Sequence, residues 1–243
     1  MLVRLAPSVR SGQEQANNRV SLVYLFYDCQ MAKQQRSIRT REIVLTAAAR
    51  QFARAGYQGT TLNAIVREAN ITQGALYFHF DSKHDLAAEV IRLQHEVAIE
   101  SGKKFLEEQS GLVGMVRLSG ELALQIVSDP IVQAGLRLST EDAEELSDFT
   151  REPYTDWESM SKLFLQRAEE RHETREGLDV DAAAETVMSA FTGAQIVSAA
   201  LSQSTDLLER LERLWPVLLA GIAADPHNPS LSNISDLLRP TDR

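Results

Sequence analysis

The feature that most limits how this chain can fold is the spacing of its apolar residues. Ile43, Val44, Ala47, Ala48, Phe52 and Ala55 recur at spacings of three and four, the interval that gathers side chains on one face of an α-helix. Leu62, Ile65, Val66 and Ala69 repeat the pattern. No stretch alternates with the period of two that a half-buried strand needs, and no internal repeat is visible. The expected fold class is all-α, each helix burying one stripe against its neighbours.

Punctuation residues divide the pattern. Gly56 is expected to end a helix running from about residue 36 to 55. Thr60 or Thr61 caps the next, Asn70 suits a left-handed turn, and Thr72 caps a third, short helix over 73–80. Ser82 followed by Asp85 resembles a capping box for a fourth, reaching to about 108. Further helices are expected over 116–127, 129–138, 154–175, 180–201 and 206–223, with Gly177 as a break and Pro216 as a kink. The acidic stretch 139–153 reads as a loop. Residues 1–30 match no helical template for long and are expected to be a disordered extension, or to precede a native start at Met31. The tail 225–243, with three prolines, reads as mostly extended.

Net charge is −9, which alone argues against a nucleic-acid partner. Its distribution argues the other way. Residues 31–86 carry eight Lys or Arg against four acids, whereas residues 87–243 carry a net −14. A basic segment on an acidic body suits a protein that meets phosphate with one part only. Cys29 is the single cysteine, so no intrachain disulfide or paired-cysteine redox site is possible, in keeping with a reducing, cytoplasmic setting. No apolar run approaches the roughly 20 residues of a membrane span, and no signal-peptide cleavage site follows Val20–Tyr27. Neither a nucleophile elbow, a dinucleotide fingerprint, a P-loop nor a zincin motif is present. His172-Glu173 begins a zincin pair, but Glu176 stands where the second histidine belongs. No catalytic residue, metal or cofactor is therefore expected, and the chain is not expected to be an enzyme.

The segment Thr60–Phe80 has the layout of a helix-turn-helix. Its second helix opens with Gln73, Gly74 and Ala75, small and polar residues suited to close approach in the major groove. Gln73 can read an adenine edge. Tyr77 lies one turn later and is expected to be exposed, with Phe78 and Phe80 partly or wholly in the core. His79 and Lys83 can meet phosphate, as can the ends of helices capped by Thr61 and Thr72. Arg36, in the basic run Lys33–Arg41, adds salt-dependent affinity.

Residues 38–91, through Gly56-Tyr57, Thr60-Thr61, Gly74-Ala75-Leu76-Tyr77-Phe78-His79-Phe80, Lys83 and Asp85-Leu86, resemble the DNA-binding domain of TetR-type repressors. Asp129-Pro130-Ile131-Val132-Gln133-Ala134-Gly135-Leu136-Arg137-Leu138-Ser139 and Tyr154-Thr155-Asp156-Trp157 resemble the γ-butyrolactone receptors of actinomycetes. The resemblance implies a three-helix DNA-binding domain over 31–82 and a larger helical ligand-binding and dimerisation domain over 83–224. It also implies a homodimer on palindromic double-stranded DNA, released by a small diffusible lactone or butenolide and controlling antibiotic genes. Similar sequences include regulators that answer antibiotics or drugs instead. Where many relatives have Lys at the start of the recognition helix, this chain has Gln73.

By position alone Trp157 reads as a core or interface filler; the resemblance places it in the ligand pocket. Gln94, Thr192 and Thr155 are further candidates to hydrogen-bond the ligand, each open also to a purely structural reading. A ligand that fits one setting of the fourth helix would change its tilt and spoil the roughly 34 Å spacing of two recognition helices. Val187, Phe191, Val197, Leu207, Leu211, Leu214 and Leu218 are expected to pair the last two long helices with a second subunit; alternatively they close the monomer core.

Overall fold

The computed structural model describes residues 11–107, 110–141 and 146–239, with residues 11–30, 32 and 141 described by backbone alone. Among them lie ten α-helices, one short 3-10 turn and no strand. They fall into two compact units, Met1–Val44 and Leu45–Arg243.

The first helix, α1, is assigned to Ser11–Gly59. Of the expected extension over 1–30, residues 1–10 lie outside the described residues, and from Ser11 the backbone is helical. No proline stands between Pro7 and Pro130, and Gly12 is the only glycine before Gly56, so nothing in the segment interrupts a helix. The regular helix ends at Gly56, at φ 67°.

In the second unit α2 (Leu62–Ala69) is capped by Thr61, whose hydroxyl accepts from the Ala64 amide at 3.2 Å. Asn70 ends it in the left-handed conformation, at φ 51°. Thr72 caps α3 (Gln73–Tyr77) by accepting from Ala75 at 3.2 Å. The helix is shorter than the expected 73–80, and residues 78–80 continue as turns. Ser82 caps α4 (Lys83–Leu106) through the Asp85 amide at 3.0 Å. These caps satisfy helix-end amides that have no partner inside the helix.

The remaining elements wrap α5 (Gly111–Ser128), whose buried residues include Leu112, Met115, Val116, Leu118 and Ile126. By length and composition α5 is apolar enough to cross a membrane, but more than half of it is buried inside the bundle, as in a core helix. Around it lie α6 (Pro130–Glu141), α7 (Ser147–Glu170), α9 (Leu207–Ile222) and α10 (Ile234–Leu238), with α8 (Val180–Ser202) packed on α7 and α9.

Two expectations fail here for tertiary reasons. Residues 147–153 are helical, not a loop, and Pro153 sits inside α7. The proline forgoes one helical hydrogen bond, but its ring and Thr150 are buried, and that packing outweighs the loss. At its other end α7 stops at Glu170 rather than 175. The chain turns at His172, φ 57°, and the Glu173 carboxylate accepts from Ser110 Oγ at 2.9 Å and the Leu112 amide at 3.2 Å. Glu173 thereby serves the N-terminus of α5.

The tail is also not extended. A 3-10 turn at Pro229–Leu231 and α10 fold back, burying Leu231 and Leu238. Asn233 caps α10 through the Asp236 amide at 3.3 Å. Arg239 and Ser235 both reach Glu212 of α9, at 2.7 and 3.0 Å. A Cβ at Gly120 of α5 would lie 2.2 Å from the Leu238 carbonyl oxygen, so only glycine admits α10 this closely.

Candidate nucleic-acid interface and ligand cavity

The helix-turn-helix is held by a small core: Phe52, Ile65 and Leu76 are fully buried and Phe80 nearly so. Arg54 and Gln51 of α1 donate to the Glu68 carboxylate of α2 at 2.5 and 2.8 Å. The Arg54 hydrogen bond, foremost, holds the Glu68 carboxyl below its ordinary pKa.

The outer face of this motif carries most of the expected contact residues. Thr61, Thr72, Gln73, Gly74 and Tyr77 are exposed, and His79 is half-buried. Gln73 Nε2 donates to Asn63 Oδ1 at 3.3 Å, which places an amide from α2 beside the first residue of α3. A Cβ at Gly74 would meet nothing within 4 Å. The fold itself therefore has no need of glycine there. Arg36, in the first unit, is exposed.

Two residues depart from expectation. Lys83 turns inward: its ammonium donates to the carbonyls of Tyr57 at 2.8 Å and Thr60 at 3.1 Å, and sits 4.2 Å from the centre of the Tyr57 ring. It ties the end of α1 to the start of α4, neutralising carbonyls left over by the break at Gly56. Phe78 was assigned to the core and is instead 76% exposed, edge-on to His79 at 5.0 Å. Leu76 and Phe80 take the inward positions, so Phe78 joins Tyr77 on the surface. Asn63 and Phe78 are the residues that sequence reasoning missed on this face.

Away from the motif, α4–α9 enclose an apolar cavity of about 100 Å³. Val132 and Leu136 come from α6, Trp157 and Met160 from α7, and Phe191 and Thr192 from α8. Gln94 of α4 and Gln125 of α5 also line it. The sequence thus anticipated three of the residues brought together here: Trp157, Gln94 and Thr192. Thr155 is not among them. It is exposed, and its hydroxyl donates to the Glu152 carbonyl at 2.8 Å, one position from Asp156 and two from Trp157 on the helix and hence on another face.

The two tryptophans of the chain both face this cavity and differ in one respect. Trp215 Nε1 donates to Ser119 Oγ at 2.7 Å. Trp157 Nε1 is buried with no partner. Its ring is fixed edge-on to Tyr154 at 5.1 Å, with His95 6.3 Å away, and His95 is itself bonded to Asp156 at 3.0 Å. Gln94, 3% exposed, and Gln125 also hold buried side-chain oxygens without a partner. The Thr192 hydroxyl has only the Met188 sulfur, at 3.8 Å, a weak acceptor. Unpaired buried polar groups are costly and uncommon; several around one apolar cavity is the pattern of a site shaped for a polar guest.

The expected dimer surface divides. Val187, Leu207 and Leu211 are buried in the chain's own core, and Phe191, Leu214 and Leu218 pack against it. Val197 is exposed, together with Ile196 and Leu201 of α8 and Val217 of α9, the last two at 74% and 71%. The inner stripes of these helices close the monomer, and the outer ones carry a separate apolar surface.

Comparison with known proteins agrees with both halves. Residues 44–90 match the model of bacterial regulatory proteins of the tetR family, and residues 109–224 that of the tetracyclin repressor-like C-terminal domain. The A-factor receptor protein of Streptomyces griseus is 33% identical over 79% of this chain and 67% of its own length. A crystal structure of a gamma-butyrolactone receptor (ArpA-like protein) superposes with a TM-score of 0.71 at 29% identity, over 84% of this chain and 98% of that one. CprB from Streptomyces coelicolor, solved in complex with its operator, gives 0.68 at 29% identity, over 84% and 100%. With its helix-turn-helix and its cavity-bearing helical body, this chain belongs to the tetR family of bacterial regulatory proteins.

Proposed function

We propose that this protein is a ligand-responsive transcriptional repressor that binds a palindromic operator as a homodimer and is released by a γ-butyrolactone or butenolide type of signal, so controlling antibiotic genes. The single observation that carries the sensing half is Trp157, a residue lining the apolar cavity whose indole N–H is buried without a partner. A lactone offers what that group lacks, a carbonyl acceptor on an otherwise apolar body. Thr192 supplies a second polar contact.

The DNA half rests on the exposed face of Thr61, Thr72, Gln73, Gly74, Tyr77 and His79, to which Asn63 and Phe78 are added and from which Lys83 is withdrawn. Arg36 adds phosphate contacts that weaken with salt. The exposed Ile196, Val197, Leu201 and Val217 suit pairing of α8 and α9 with a second copy. Relatives of the chain are transcriptional regulators rather than enzymes, and a regulator of DNA with these properties works in the cytoplasm.

Ligand release follows from the size of the cavity. Drug-sized molecules occupy pockets of about 300 to 1,000 Å³, several times the space present. A lactone with an alkyl chain enters only by moving the walls, and α4 is one of them. Binding energy that depends on the setting of α4 is what shifts a two-state equilibrium.

The test is a gel shift on the gene's own upstream region, with and without synthetic γ-butyrolactones. A retarded complex dissolved by lactone is the expected result. Absence of a complex overturns the repressor reading, and a complex dissolved by an antibiotic but by no lactone replaces the proposed signal class. Trp157→Ala is expected to keep the complex and lose its release.

A further inference from the structure

The exposed face of the helix-turn-helix carries a pair of side-chain amides from two different helices. Asn63 lies in the first turn of α2 and Gln73 is the first residue of α3, and both are exposed. Gln73 Nε2 donates to Asn63 Oδ1 at 3.3 Å. The backbone beneath each amide is fixed. Thr61 and Thr72 cap the two helices, and Ile65 and Leu76 anchor them in the buried core of the motif.

A carboxamide has one acceptor oxygen and two N–H donors. Asn63 engages one N–H of Gln73, which leaves the Gln73 oxygen and a single N–H to meet a base. In the major groove adenine offers the complement, a donor at N6 beside an acceptor at N7. Guanine offers two acceptors, O6 and N7. It would need two donors from a nitrogen with one left, and would set its O6 against Gln73 Oε1. Cytosine offers only the N4 donor and thymine only the O4 acceptor, so each answers half of the amide.

We infer that Asn63 determines specificity without reading the base itself: by taking one N–H of Gln73 it sets that amide to accept adenine and to reject guanine. Asn63 is a positioning residue, and the base choice made at the start of α3 is decided in part on α2. This rests on reading the exposed face of the motif as the operator-binding surface.

The experiment is selection of bound sites from a pool of randomised duplexes by the full-length protein. The affinities of the selected site and its single-base variants are then measured by fluorescence anisotropy. The wild type is expected to select adenine at one position of each half-site and to bind it roughly tenfold or more tightly than guanine there. Gln73→Ala identifies that position by losing the preference. Asn63→Ala is expected to keep the complex and lose most of the discrimination, since the freed amide can turn both N–H groups to guanine. Asn63→Asp separates positioning from direct contact. A carboxylate only accepts, so it keeps the Gln73 nitrogen turned toward it. The adenine preference should survive there, while the added negative charge weakens binding to every sequence alike. Four results overturn the inference and leave the repressor reading intact: guanine selected at the Gln73-dependent position, no position that depends on Gln73, a preference unchanged in Asn63→Ala, or one lost equally in Asn63→Ala and Asn63→Asp. No complex with any duplex overturns both.

Discussion

Arg137 of α6 donates a 2.9 Å hydrogen bond from Nη1 to the carbonyl oxygen of Ala53, in the last helical turn of α1 before Gly56. Its neighbour Leu136 lines the cavity. Gly135 lies against α4 so closely that a Cβ there would stand 2.5 Å from Gln94 Cβ. One turn of α6 therefore touches the cavity, the helix that leads out of the DNA-reading motif, and α1, whose Phe52 and Arg54 support that motif. Arg137→Met is expected to leave ligand affinity unchanged and to weaken ligand-driven release by about tenfold, within the usual range of coupling between sites. Calorimetry for the ligand beside a release titration on operator DNA separates the two effects.

The tryptophan pair is expected to respond oppositely. Trp215→Phe leaves Ser119 Oγ without the indole donor in a buried setting and should lower stability by about 1–3 kcal/mol. Trp157→Phe removes an N–H that has no protein partner, so thermal stability should hold while lactone affinity falls. Melting curves with and without ligand check both.

Lys83 and Tyr77 are expected to exchange the roles that charge and position suggest for them. Lys83→Met should destabilise the motif, since the carbonyls of Tyr57 and Thr60 lose the ammonium that joins them, and leave unchanged the slope of operator affinity against salt, which counts phosphate contacts. Tyr77→Ala should weaken operator binding with little change in melting temperature, because the ring is half exposed.

The Arg54–Glu68 pair makes the motif acid-sensitive. A carboxyl held below its ordinary value when folded contributes stability above the unfolded value, 4.5, and loses it as pH falls through the folded one. Glu68→Gln is thus expected to cost up to about 1 kcal/mol at neutral pH, the scale of a largely exposed pair. It should cost almost nothing well below pH 4.5. Urea melts across that range provide the measurement.

Gly120→Ala should dislodge α10. The added carbon has no room beside the Leu238 backbone, and the end of the chain is held mainly by Leu231, Leu238 and the Glu212 contacts. Limited proteolysis is expected to remove the tail of the variant and spare the wild type.

How far the sequence could be read follows from the range of the forces involved. Thr61, Thr72 and Ser82 were legible as helix starts because a cap side chain accepts from an amide three residues on, and Asn70 as a helix end because its side chain tolerates the left-handed conformation; local chemistry decides both. The apolar stripes were legible because a helix repeats every 3.6 residues. Lys83 was misplaced because charge and position do not say which way a long side chain turns; its partners lie 26 and 23 residues upstream. Phe78 was misplaced because its neighbours Leu76 and Phe80 already fill the small core of the motif. Helix α10 was missed because five residues are too few to hold a helix unless something buries it, and what buries it is α5.

The all-α class and the helix-turn-helix were thus determined by the sequence alone, since periodicity and capping are local. Tertiary structure decided which of two tryptophans keeps its N–H free, which glutamine oxygens are buried without a partner, and which half of each apolar helix closes the monomer. Those outcomes depend on partners distant in sequence, and a buried polar group acquires its meaning only when every neighbour that might satisfy it is in place.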